Sequence, residues 1–159
     1  MCPRKTKVMC YTTLFRPITE YVSIIGDPHT TQNINRLEMV QQRSARFVMG
    51  DYHTTSSVTT MLTNLDWNTL QERRARAKAV MMFRIVNNLV DIPTTYLISA
   101  ATTISGHRHK FLVPYARTST YQQSFCPDSI CIWNSLPQHV ISCNSLESFK
   151  GELQSVRLR

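Results

Sequence analysis

From Trp67 to Leu89 the chain contains neither glycine nor proline and is filled with strong helix formers, among them Leu70, Gln71, Glu72, Ala75, Ala77, Lys78, Ala79, Met81 and Met82. Ala75, Ala79, Met82, Phe83, Val86 and Leu89 recur at three- and four-residue spacing, which predicts a helix over 67–89 with one side available for packing. A segment this long commits the chain to burying helix faces against other helices. A second pattern, from Asn35 to Met49, places Ile34, Leu37, Val40, Ser44, Phe47 and Val48 on one arc, with helix-starting residues at Thr30 to Asn33 and Gly50 where a C-terminal cap belongs. That arc predicts a buried Phe47.

Elsewhere the elements are shorter. Residues 5 to 16 read as a helix that Pro17 must end or restart, with a second segment from Ile18 to Ile25 before the Gly26-Asp27-Pro28 break. Ser56-Ser57 can cap a short helix carrying Val58, Met61, Leu62 and Leu65. After Pro93, threonine and serine dominate a loop around Tyr96-Leu97-Ile98, and Phe111-Leu112-Val113 and Tyr121 to Phe125 read as short strands. Pro127 opens a helix running to about Leu136, where Pro137 stops it. Asn144, with Glu147 three residues on, predicts the cap of a last helix striped by Leu146, Phe149, Leu153 and Val156. The expected fold class is mainly α: a small helical bundle over 1–92, then a loop-rich tail over 93–159 with short strands and two short helices.

The 159 residues carry 18 Lys+Arg against 10 Asp+Glu, a formal charge of +8, which points to an anionic partner. Between residues 36 and 84 eight basic residues face four acidic ones, a net of +4; between 91 and 156 the count is four against four. The footprint thus belongs to the earlier region. No apolar run approaches the roughly 20 residues of a spanning helix, and no apolar stretch follows the basic start, so neither a membrane partner nor a secretory signal is expected. The reading is intracellular, with Cys2, Cys10, Cys126, Cys131 and Cys143 as reduced thiols.

No phosphate-binding glycine loop, nucleophile elbow or Cys-x-x-Cys occurs, and no two carboxylates are adjacent, so a two-metal phosphoryl-transfer site is not legible locally. No cofactor and no catalytic residue is expected. His107 and His109 with Cys126, Cys131 and Cys143 form the one metal-like constellation, at spacings unlike those of zinc modules. More informative are two arginine rows: Arg36, Arg43 and Arg46 beside the 35–49 arc, and Arg73, Arg76 and Arg84 around Val80. Guanidinium groups at helical spacing can follow a phosphate backbone. An ordinary solvated face is the alternative, since Glu72 and Arg76 stand four apart in the order of a helix ion pair.

Tyr11-Thr12-Thr13-Leu14-Phe15-Arg16-Pro17-Ile18-Thr19-Glu20-Tyr21 resembles the Tyr-x-x-Leu-x-Arg-Pro-Ile-x-Glu-Tyr run found downstream of the polymerase core in reverse transcriptases of non-long-terminal-repeat retrotransposons of the jockey-like group. Asp27-Pro28-His29-Thr30, Ile34 to Gln41, Arg43 to Phe47, Trp67, Leu70 to Arg76 and Met81 to Asn87 follow in that family's order. Gly106-His107, Tyr121, Phe125, Trp133-Asn134-Ser135-Leu136-Pro137 and Leu146 to Lys150 complete a similarity spanning residues 11 to 153; Gly26 stands where a tryptophan is expected. The resemblance implies a C-terminal, thumb-side piece whose catalytic aspartates lie upstream. It implies a noncatalytic fragment of an RNA-directed DNA polymerase holding template and primer through Arg36, Arg43, Arg46, Arg73, Arg76 and Arg84, with an absent palm domain as a further partner. The alternative is an inactive relic whose helices lack that palm.

Overall fold

The structure, a computed structural model, describes residues 2–21, 27–28, 30–100 and 109–158. Gly26, His29, Gly106, His107, Arg108 and the end of the Ile18–Ile25 segment lie outside the described residues. The fold is mainly helical, in two compact units, Met1–Arg74 and Ala75–Arg159. The division between these units falls inside a helix.

In the first unit, α1 (Arg4–Cys10), a π-helical turn (Tyr11–Phe15) and α2 (Arg16–Tyr21) follow one another without a break. Pro17 therefore neither ends nor restarts a helix. It lacks an N–H and its ring crowds the carbonyl four residues back, and the chain accommodates both by widening the turn just before it. Threonines in the widened turn bond back to the helix before it: Thr12 Oγ1 donates to Val8 O (3.0 Å) and Thr13 Oγ1 to Met9 O (2.7 Å).

α3 (Thr31–Met49) starts at Thr30, whose side chain accepts the Asn33 N–H, and ends at Gly50, where φ is 70°. There the amides of Gly50 and Asp51 both donate to Arg46 O, at 2.8 and 3.2 Å. α4 (Val58–Asn64) ends with Asp66 at φ 53° and α5 (Leu70–Val86) with Asn88 at φ 54°, where Leu89 N donates to Arg84 O at 2.8 Å. Asn88 takes the left-handed residue that usually needs glycine, so α5 stops three residues before the expected Leu89. Its start is set by Thr69, whose hydroxyl accepts the Glu72 N–H.

The α3 wheel is rotated by one residue from the expected arc. Gln41, Ala45 and Val48 are buried, whereas Val40 and Phe47 are 36% and 48% exposed. The cause is polar: Gln41 Nε2 donates to Asn68 O at 2.7 Å and its Oε1 accepts from Arg73 at 3.0 Å, so a polar residue outside the expected arc is held inside. Tyr11 stacks on Trp67 beside it, ring centroids 4.1 Å apart.

In the second unit, Ala79, Met82 and Phe83 of α5 pack with Ile130 and Trp133 of α7 (Phe125–Ser135), Leu136, Val140 and Ile141 around α8 (Gln138–Ile141), and Phe149 and Leu153 of α9 (Leu146–Ser155). Phe83 stacks on Phe149 at 4.4 Å, and Trp133 lies 6.1 Å from Phe149. Full burial of such side chains stabilises by about 1.5–3 kcal/mol each.

The two expected strands are not formed among the described residues. Tyr121 belongs to a short helix, α6 (Ser119–Gln122), and Phe111 makes only an isolated antiparallel bridge with Ser99. The neighbouring strand that Phe111 would need is replaced by a side chain. Asn134 Oδ1 accepts the Phe111 N–H (3.0 Å) and its Nδ2 donates to Phe111 O (2.8 Å). The cap of α9 is Ser145, which accepts the Ser148 N–H at 3.1 Å, one residue later than the expected Asn144; Glu147 pairs with Lys150 instead.

Candidate nucleic-acid interface

Burial separates the six arginines that the sequence groups into rows. Arg36 and Arg43 are exposed on α3, two turns apart, and no hydrogen bond or ion pair among the described residues holds either guanidinium. Arg46, half-buried, donates to His53 O (2.7 Å) and Ser56 O (3.3 Å), tying the loop after α3. In that loop a hydrogen bond from the Ser56 side chain, with the His53 amide next, holds the Asp51 carboxyl below the ordinary aspartate value.

Arg73 is turned inward, its side chain 10% exposed. Its Nη1 meets Glu20 Oε1 at 2.7 Å, and its Nη2 donates to Tyr11 Oη (3.1 Å) and Gln41 Oε1 (3.0 Å). Glu20 also accepts from Arg16 at 3.0 Å. Arg74, absent from the expected row, is buried as well, bound to Asp27 Oδ1 (2.7 Å) and Thr19 O (2.9 Å). Arg76 is half-buried and donates to Gln154 O at 3.3 Å, and Arg84 is half-buried. Of the row on α3, then, Arg36 and Arg43 face solvent together; on α5, Arg73 and Arg76 are engaged within the protein.

Tyr11, Arg16 and Glu20, which belong to the Arg-Pro-Ile run, all serve the Arg73 network. The Trp-Asn-Ser-Leu-Pro run has a similar structural use: Trp133 Nε1 donates to His109 O at 2.9 Å, Asn134 clamps Phe111, and Leu136 is buried. Apart from the Arg16–Glu20 pair, four residues apart, those roles are not readable from periodicity, because the partners lie far away in the chain.

Among the described residues no group of three or more His, Cys, Asp and Glu is placed to hold a metal. His109 is exposed, Cys126 and Cys131 are exposed on α7, and Cys143 donates to His139 O at 3.6 Å. Although the residue is exposed overall, partial desolvation of its sulfur by the surrounding protein, with the Asp128 charge second, pushes the Cys131 thiol upward, which disfavours a thiolate nucleophile. His107 lies outside the described residues.

No acid occupies an exposed position on α3, whose single carboxylate, Glu38, accepts the Gln71 N–H at 2.8 Å. The exposed face is therefore cationic, with Met39, Val40 and Phe47 between and beyond the arginines. No described helix is long and apolar enough to cross a membrane. No family model, curated protein or solved structure matches the chain.

Proposed function

We propose that this chain is a noncatalytic, nucleic-acid-holding fragment of a mobile-element reverse transcriptase. The observation that carries the reading is the exposed, acid-free face of α3 with Arg36 and Arg43 open to solvent. The resemblance over residues 11 to 153 supplies the family. With Arg46, Arg73 and Arg76 engaged internally, the contact is smaller than six arginines would give. Arg36, Arg43 and the nearby Lys7 neutralise two or three phosphates, so log K against log salt has a slope of about −2 to −3. Fluorescence anisotropy with a primed template tests this: binding that is absent at low salt, or unchanged by Arg36→Gln with Arg43→Gln, ends the proposal. Primer extension is expected to be absent with any divalent metal, since the polymerase carboxylates of such a protein would lie elsewhere.

A second reading, an inactive relic without its palm, is favoured by the first helical stretch, where Met9, Leu14, Phe15 and Ile18 are 52–74% exposed. Leu14, Phe15 and Ile18, three and four residues apart, form one apolar face. A relic aggregates with concentration and melts without cooperativity. A working module stays monomeric in light scattering and binds.

A further inference from the structure

The outward face of α3 carries more than charge. Met39, Val40 and Phe47 are 44%, 36% and 48% exposed, interleaved with Arg36 and Arg43 on one stripe. Arg36 and Arg43 stand about 10 Å apart along the axis at 1.5 Å per residue, with Met39 and Val40 between them. Next to Phe47 sits a third cation: Lys7 Nζ lies 4.9 Å from the ring centroid and donates to Phe47 O at 3.1 Å. Gln32 and Asn35, also exposed on α3, add side-chain amides able to bond base edges.

A duplex offers such a face phosphates, sugars and groove edges, which satisfy the arginines and the amides, but its stacked bases present no free π-face to the aromatic ring. A single strand satisfies both, its phosphates meeting the cations while its unstacked bases cover the apolar groups and stack on the aromatic ring. We propose that the α3 face, with Lys7, Arg36, Met39, Val40, Arg43 and Phe47, takes single-stranded nucleic acid in preference to duplex. This rests on the nucleic-acid reading above and names the form of the ligand. Lys7 orders the Phe47 ring and places a positive charge where the phosphate of a stacked nucleotide falls.

The test compares labelled oligo-dT with the same strand annealed to oligo-dA, and with heparin as a polyanion without bases. Oligo-dT binds more tightly than the duplex and keeps more of its affinity as salt rises, because stacking is not screened. Phe47→Ala weakens oligo-dT binding by roughly 5- to 150-fold, the worth of one base–aromatic stack, and leaves duplex binding unchanged. Phe47→Tyr, which keeps the ring, retains the parent affinity; thermal melts of both variants establish that each is folded. If duplex or heparin binds as well as oligo-dT and Phe47→Ala changes nothing, the single-strand inference fails while the nucleic-acid reading stands. If none of the three binds at low salt, both fail. An acidic peptide that displaces oligo-dT while heparin does not also overturns it, since the face would then be a protein contact.

Discussion

The two units solve the same problem, keeping helices together, with different materials. At the centre of Ala75–Arg159 are Phe83, Trp133, Phe149, Met82 and Ile130, almost wholly removed from water. In Met1–Arg74 the buried apolar residues are mostly smaller, Ala45, Val48, Met61 and Leu70, and polar groups share the interior: Arg73 with Tyr11, Gln41 and Glu20, and Arg74 with Asp27, while the large apolar residues Leu14, Phe15, Ile18 and Phe47 are exposed. Stability that comes from apolar area is non-directional and tolerates small shifts. Stability that comes from a polar network depends on every member being present. The units should therefore fail differently when single side chains are removed.

The largest effect belongs to the apolar unit. Trp133→Ala removes a fully buried ring from between Phe111 and Phe149 and leaves His109 O without its indole donor, and should destabilise by about 3–5 kcal/mol in urea melts. A loss below about 1 kcal/mol would mean that this core is not packed as described.

Next comes Arg73→Ala, about 2–3 kcal/mol, because Glu20, Tyr11 Oη and Gln41 Oε1 lose a common partner in the interior. The Glu20 side chain is 31% exposed and keeps Arg16, which places the loss below that of a fully isolated charge. Arg73→Lys should recover less than half of it, since one ammonium cannot span all three acceptors as the guanidinium fork does. Full rescue by lysine would show that charge, and not geometry, holds the unit together. Asn134→Ala, with two backbone groups of Phe111 left unpaired, is expected to cost about 2 kcal/mol, and Asn134→Asp most of that because it restores only the acceptor. Phe47→Ala, by contrast, should cost less than about 1 kcal/mol, as for a ring that is half exposed.

The unequal legibility of the two units has the same physical origin. Hydrophobic periodicity located α5 and α9 and much of the apolar interior they contribute, because Ala79, Met82, Phe83, Phe149 and Leu153 are both apolar and buried. It failed on α3, where the arcs containing Phe47 and Val48 differ by one step of the wheel and the deciding residue, Gln41, is polar. It failed for Arg73 and Arg76 for the same reason: a guanidinium written on a helix looks solvated until its acceptors, Glu20 and Gln154 O among them, are brought beside it by distant parts of the chain. Asn88 and Asp66, standing in for glycine at helix ends, and Asn134, standing in for a strand, were invisible to composition rules that favour glycine caps and alternating strands. Arg36 and Arg43 remained where the wheel put them, on the outside.

The smallest effect tests whether directional bonding in the first unit extends to its surface. After α3 the loop is held by Arg46, bonded to His53 O and Ser56 O, and by Asp51 Oδ1, which accepts the His53 N–H at 3.0 Å. The Asp51 carboxyl is held below its ordinary value first by the Ser56 hydroxyl and then by the His53 amide. A carboxyl depressed on folding contributes order that is present above its unfolded value and is lost as pH falls through its folded value. Protection of the His53 amide should therefore be steady from neutral pH down to the ordinary aspartate range and disappear below it, as read by NMR line position and exchange. Asp51→Asn should shift that resonance at neutral pH and abolish its acid transition, leaving the melting curve of the whole chain unmoved because the carboxyl is at the surface. Unaltered behaviour of the His53 amide across the acid range would confine the polar network to the interior around Arg73. The surface loop would then owe its shape to Arg46 alone, and Arg46→Gln would release it.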